Sequence, residues 1–581
     1  MVALHGLVHG IAASLAGSGA RSAAFLREVL VLAGFAAVSL VFARPILGDL
    51  GTACLCDDST DPSIAMWSLV WWPHALATGT NPLFTDAVWA PDGSDLSWVT
   101  TVPSAALLGY PLLRVGGPVV AYNALMLAAA PLAAYAAYRL CRYVTGALVA
   151  SLAGGYAFGF STYMLGHSLG HLNLVFVFPV PLAVLLAVAH LDGGLSRRAF
   201  LSLLVPLLLL QFGFSTELFA TTLAFGALAL AVAYLVSDAS GRRPLRALAH
   251  SLAVAIGLVA LLLSPFLVRA LAHAPAEPLN SRTENAIDVL NPVVATPLTR
   301  FRLLEGTGEA IMRNASEAGG YLGLPLLAVV GLVLVRERRM VRGRVLGAVF
   351  LAATFASFGP WLWFAGHRSP LPNPFGAYVV LPVVGHALPS RFILYAFLAA
   401  AVALAVWLAR PGGSAWARWP LGVAAVLALL PNPAFPWFQH DVPDPPFFRD
   451  GRWRAALTPG DIAVVLPYGH RGFSMLWQAR TEMGFRMAGG YLNARVPAGF
   501  REERSVRAFL AGRPAALDER QLRDFLTAKR VRAILVGPPA HADWRPLLLR
   551  LDPTPRTLGG VEVYDVQEPL SGRPRSLGSR G

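Results

Sequence analysis

Long apolar runs alternate with short arginine-bearing segments over the first 430 residues. The runs are continuous, not alternating with a period of two. Most approach 20 residues, the length at which one α-helix crosses a hydrocarbon core of about 30 Å. Within lipid the backbone is satisfied only in helices or closed barrels. The pattern therefore predicts helical spans near 29–47, 117–138, 146–165, 172–190, 199–214, 217–236, 248–270, 319–335, 345–364, 390–410 and 418–431, about eleven in all. Residues 101–114 are apolar too, but short and interrupted by Pro103 and Pro111, and read as a re-entrant or interfacial piece. From Ile64 to Leu76, Trp67, Trp71 and Trp72 recur at helical spacing, and Trp favours the membrane interface. The loop 48–116 is thus expected to be a structured platform on the bilayer.

Past Leu430 the pattern changes. Pro431, Pro433, Pro436, Pro443, Pro445 and Pro446 predict an extended linker over 432–460. Beyond it Asp461–Tyr468, Val531–Gly537 and 560–566 read as strands, and 501–511 and 517–529 as amphipathic helices. Strands alternating with helices predict a small α/β domain over 461–570, followed by a disordered tail at 571–581.

Composition agrees with a membrane protein. Hydrophobic residues make up 55% of the 581 and charged residues only 14%, against roughly 25% in soluble domains. The net charge of +14 resides mostly in arginine clusters between spans, so it sets orientation and does not mark a nucleic-acid partner. Arg139/Arg142, Arg197/Arg198, Arg242/Arg243/Arg246, the cluster from Arg336 to Arg344, and Arg410/Arg418 all fall on one side. By the positive-inside rule that side, with residues 1–28, is cytoplasmic, which gives an N-in, C-out chain in a bacterial cell membrane with its C-terminal domain outside. Three cysteines make no disulfide framework; Cys54 and Cys56 would bind metal or pair outside. The run after Val29 is long enough to span and lacks a small-residue cleavage site, so no short cleavable signal peptide is read.

The polar residues gather opposite the arginines. Asp57, Asp58 and Asp61 lie within five residues after the first span. Asp61 before Pro62 is where a helix N-cap would stand. Three carboxylates so close repel one another unless a cation or an acceptor proton offsets them. That suits a divalent metal such as Mg or Mn, or general-base work. His167 and His171, one helical turn apart, can bind metal or phosphate. Glu217 at a break between apolar runs is expensive at membrane depth and so a site candidate. Arg391 is an arginine on the exterior side, with a fork suited to phosphate. Trp477 and Tyr491 can stack on an acceptor's sugar rings. Glu284, Asp288 and Glu317 read as a solvated face of the 271–317 loop.

An acidic motif in the first exterior loop of a many-span chain resembles the GT-C superfamily of integral-membrane glycosyltransferases. Asp57-Asp58 matches its relaxed acidic pair. The run Asp61-Pro62-x4-Trp67-x3-Trp71-x-Pro73-His74-Ala75-Leu76 is similar to actinobacterial-type members of that superfamily. So are Asn81-Pro82-Leu83-Phe84-Thr85, Pro91-Asp92-Gly93, Gly170-His171-Leu172-Asn173, Gln211 with Ser215-x-Glu217, and Leu388-Pro389-Ser390-Arg391-Phe392. The likeness covers most of residues 45–410 and departs at Thr216, where an acidic residue often stands. It implies a GT-C-like helical fold and transfer of a sugar from a polyprenyl-phosphate donor to a glycan, lipid or protein acceptor. In that reading Asp61 or Asp58 is the base. Asp57, Asp58, His167 and His171 hold the divalent cation, and Arg391 and His171 meet the donor phosphate. Glu217, Asn173 and His74 are further polar site residues. The alternatives are a non-catalytic scaffold of the same fold, and a lipid or glycan transporter or flippase. A transporter would place polar residues along a path through the spans, and the span interiors here are nearly free of charge.

Overall fold

The computed structural model describes residues 18–57, 60–275, 279, 283, 285–380, 384–412, 415–439, 441–493 and 496–566. Asp58, Glu284 and the expected tail 571–581 lie outside the described residues. The chain divides into two compact units. One runs up to residue 57 and includes 102–105 and 122–439; the other takes 58–101, 106–121 and the chain from 440.

Each predicted span coincides with helix. Among the described residues eight helices are long and apolar enough to cross a membrane: Ser22–Phe42, Pro103–Thr145, Leu148–His167, Leu172–Leu191, Arg197–Phe214, Thr216–Val236, Ala239–Leu262 and Pro389–Ala409. This is a multi-pass helical membrane protein. The other three predicted spans form the shorter helices Leu324–Glu337, Val341–Ser357 and Ala415–Ala428. The run predicted to 364 stops at Ser357 because Gly359, at φ +70°, turns the chain. Trp361–Phe364 (β3) then pairs antiparallel with His367–Pro372 (β4). A short aromatic-rich apolar run does not by itself distinguish strand from helix.

Within the first unit the Pro389–Ala409 helix is almost wholly enclosed, whereas Thr216–Val236 is mostly half-exposed. Glycines allow the close approach around the enclosed helix. A Cβ on Gly154 would sit 2.8 Å from the Ala401 carbonyl, and one on Gly155 2.7 Å from that of Ala134. Small residues at helix contacts are the usual means of bringing membrane helices together. The apolar piece at 101–114 is helical, and the helix breaks at Gly117 (φ 76°, ψ −177°), a conformation only glycine adopts readily.

In the second unit Phe84–Thr85 (β1) and Ser94–Asp95 (β2) form a two-stranded antiparallel sheet of their own. Its main sheet has the order β6-β5-β7-β9-β8, with strands Ile462–Leu466 (β5), Arg486–Met487 (β6), Val531–Val536 (β7), Arg556–Leu558 (β8) and Val561–Asp565 (β9). β5 runs parallel to β6 and β7, and β9 antiparallel to β7 and β8. β5 is buried throughout, as a central parallel strand should be. Residues 87–90, from the predicted exterior loop, lie along β6: Met487 N–H donates to Ala87 O at 2.8 Å and Ala90 N–H to Met487 O at 2.9 Å. Gln478, fully buried, fastens the same region. Its Oε1 accepts from Trp67 Nε1 at 2.7 Å, and its Nε2 donates to the carbonyls of Ala87 and Phe485.

Candidate functional site

In the second unit Asp61 opens the helix Asp61–Thr78. The N-cap position falls on Thr60, and no side-chain cap bond forms there, so capping does not account for the Asp61 carboxylate. Instead its Oδ1 accepts a hydrogen bond from the Tyr491 hydroxyl at 2.8 Å. Burial pushes the Tyr491 phenol above its ordinary value of 10, and the Asp61 carboxylate pushes it further, so the hydroxyl remains a donor. Thr60 is tied to the Gly469–Arg471 turn, its Oγ1 donating to His470 O at 2.8 Å. Pro62 and the apolar face Ile64–Trp71 seat the helix, and Asp61 itself stays partly exposed. The result is an oriented carboxylate that a hydroxyl-bearing molecule can reach.

The first unit holds a buried ion cluster. Arg391 lies in the turn Pro389–Phe392 ahead of the enclosed helix. Its Nη1 donates to Glu217 Oε2, and its Nε and Nη2 donate to Glu317 Oε1 at 3.2 and 2.8 Å. Ser390 Oγ donates to the other Glu317 oxygen, and Leu388 N–H donates to Glu217 Oε1 at 3.1 Å. Glu217 stands in the first turn of its helix, but the cap there is Ser215, whose side chain accepts from Leu218 N–H. The expectation that Asp288 and Glu317 are solvated is corrected: Asp288 is buried and the Glu317 side chain is 4% exposed. Burial alone would raise its carboxyl. The Arg391 guanidinium, with His167 and His171 beyond it, outweighs that and holds the group down at about 2. Three of the five N–H donors of Arg391 are taken by protein carboxylates.

The remaining expected residues are placed as follows. The His167 and His171 rings meet edge to face with centroids 5.5 Å apart, and Tyr163 packs on His167 at 4.4 Å. Asn173 sits on the short helix Leu172–Val175. Asp57 N–H donates to Leu169 O at 3.4 Å. The chain before Asp57 is held by Asn123, whose carboxamide bonds Leu50, Ala53 and Leu55. Cys54 and Cys56 form a disulfide, which answers their open sequence reading. In the second unit, His74 lies half-buried near Trp71; burial lowers its imidazole pKa, partly offset by Glu482. Trp477 is corrected: it is fully buried against Phe448, with Nε1 donating to Pro443 O, and offers no face to a sugar. Among the described residues no three His, Cys, Asp or Glu draw together to hold a metal ion. Asp58, one of the four residues expected to hold the cation, lies outside the described residues.

Sequence reasoning gave Glu317, Ser390, Asn123 and Gln478 no bonding role. For Glu317 the only local signal was an acidic residue beside Ala318-Gly319-Gly320, where the chain passes close to Thr162 and Tyr163.

The fold is that of a multi-pass helical membrane protein with a small α/β sheet. Its structural likeness is to arabinofuranosyltransferase AftD from Mycobacteria, at a TM-score of 0.55 and 17% identity over 92% of this chain and 40% of AftD. This chain therefore spans less than half of that protein's length. ArnT from Cupriavidus metallidurans, solved with undecaprenyl phosphate, gives 0.49 at 11% identity over 93% of this chain and 98% of its own, a likeness too low to add to the argument. No family model matches the chain, and no curated protein matches it in sequence.

Proposed function

We propose that this chain is a membrane glycosyltransferase that moves a sugar from a polyprenyl-phosphate donor to a glycan, lipid or protein acceptor outside the cytoplasm. The observation that carries the reading is Asp61. It is a partly exposed carboxylate, not used as a helix cap and oriented by Tyr491, in a chain whose fold is shared with an arabinofuranosyltransferase. Asp61 takes the proton of an acceptor hydroxyl as that oxygen bonds to the sugar's anomeric carbon. The bond from that carbon to the phosphate oxygen breaks, and its electron pair leaves with the polyprenyl phosphate. Asp61 then returns the proton to solvent.

The test is deletion of the gene in its host and restoration as wild type or as Asp58→Asn plus Asp61→Asn, at matched membrane levels. Envelope and secreted glycans are then compared by mass spectrometry. A glycan restored by wild type and not by the variant supports catalysis and identifies the sugar. Full restoration by the variant overturns the assignment of these aspartates and favours a scaffold.

A further inference from the structure

Tyr491 is 430 residues from Asp61 in sequence, yet its hydroxyl ends on the Asp61 carboxylate at 2.8 Å. Its approach is fixed by its surroundings. The Tyr491 N–H donates to Met475 Sδ at 3.4 Å. Gly490 before it takes φ +145°, and a Cβ there would meet Val88 Cβ at 2.9 Å, so that step in the chain has to be glycine. The His470 ring lies 6.0 Å from the Tyr491 ring, on the same turn whose carbonyl binds Thr60. The start of the Asp61 helix is thereby held twice by the C-terminal chain, through Thr60 and through the Asp61 carboxylate itself.

We infer that Tyr491 is a positioning residue of the transfer, whose hydroxyl aims the Asp61 carboxylate at the acceptor's proton. The inference rests on the reading of Asp61 as the base and adds a role for the C-terminal sheet in the chemistry. A hydrogen bond donated to a carboxylate favours its charged form. Only that form accepts a proton, so loss of the bond is expected to be read on the acid side of the rate–pH profile. The phenol is suited to the task because burial and Asp61 both hold it protonated. His470 and Arg471 lie on the neighbouring turn. They are the same in wild type and variant, so a difference between the two profiles reports the Tyr491 bond.

The experiment needs no purified substrate. Membranes from the deletion host supply donor and acceptor, and purified full-length protein is added as wild type, Tyr491→Phe or Asp61→Asn. The initial rate of product glycan is followed by mass spectrometry across pH. Tyr491→Phe keeps the ring and is expected to move the acid limb up by about one pH unit, since a hydrogen bond to a charged group is worth about that much. Asp61→Asn is expected to be inactive. An unmoved acid limb in Tyr491→Phe beside an inactive Asp61→Asn overturns the inference alone. A fully active Asp61→Asn overturns the base assignment beneath it. If Tyr491→Phe does not accumulate, Tyr491→3-fluorotyrosine replaces it: its more acidic phenol donates more strongly, so the limb moves down, and an unmoved limb again overturns the inference.

Discussion

Arg391 and Glu317, 74 residues apart in sequence, are joined through two guanidinium nitrogens that reach the same carboxylate oxygen, Nη2 at 2.8 Å and Nε at 3.2 Å. The Arg391 side chain is 11% exposed, so this pair and Glu217 are largely removed from water. Breaking a buried pair by removing one partner costs more than the pair contributes, because the other charge remains buried.

Arg391→Met is accordingly expected to destabilise the protein by about 3–5 kcal/mol, since it leaves Glu217 and Glu317 facing each other without a cation. Thermal unfolding in detergent checks this. A midpoint equal to wild type would show that the cluster is hydrated in the membrane.

The acid sensitivity of the fold follows from Glu317. Its folded value of about 2 lies below the ordinary 4.5, so on acidification the unfolded chain takes up this proton first. The stabilisation is complete above pH 4.5 and is lost as pH falls toward 2. Glu317→Gln is expected to flatten the decline of the unfolding midpoint over that window. Parallel declines in wild type and variant would assign the acid sensitivity to other groups.

Gln478→Leu is expected to lower stability by about 2–4 kcal/mol, because Trp67 Nε1 and the carbonyls of Ala87 and Phe485 lose their buried partner. Denaturant unfolding of wild type and variant, followed by tryptophan fluorescence, measures it. An unchanged midpoint would mean that water replaces the carboxamide.

The cysteines give a chemical check. Cys54 and Cys56 are paired and Cys141 is free and buried. Alkylation of unfolded protein without reductant is expected to label Cys141 alone, and all three cysteines after reduction. Labelling of all three without reductant would contradict the disulfide.

The spans, the α/β character of the C-terminal region and the strands β5, β7 and β9 were legible in the sequence, because periodicity and run length are local properties. Asp61, Glu217 and Arg391 were legible as polar residues at the ends of apolar runs. Their partners were not. Glu317 reads as one more loop acid until the fold buries it beside Arg391, and Tyr491 as a stacking aromatic until its hydroxyl meets Asp61. Trp477 misled for the same reason: nothing adjacent to it in sequence reveals that Phe448 covers its ring. The hairpin of β3 and β4 was hidden because an apolar aromatic run suits a strand as well as the end of a span.

The backbone of residues 87–90 running along β6 has a practical consequence for anyone dividing this chain. A fragment starting at residue 440 would uncover a row of main-chain donors and acceptors at β6, together with the Gln478 carboxamide. Bare strand edges of that kind recruit other chains. Such a fragment is destined for self-association in solution, whereas a version carrying residues 60–101 through a designed connection keeps its own edge closed.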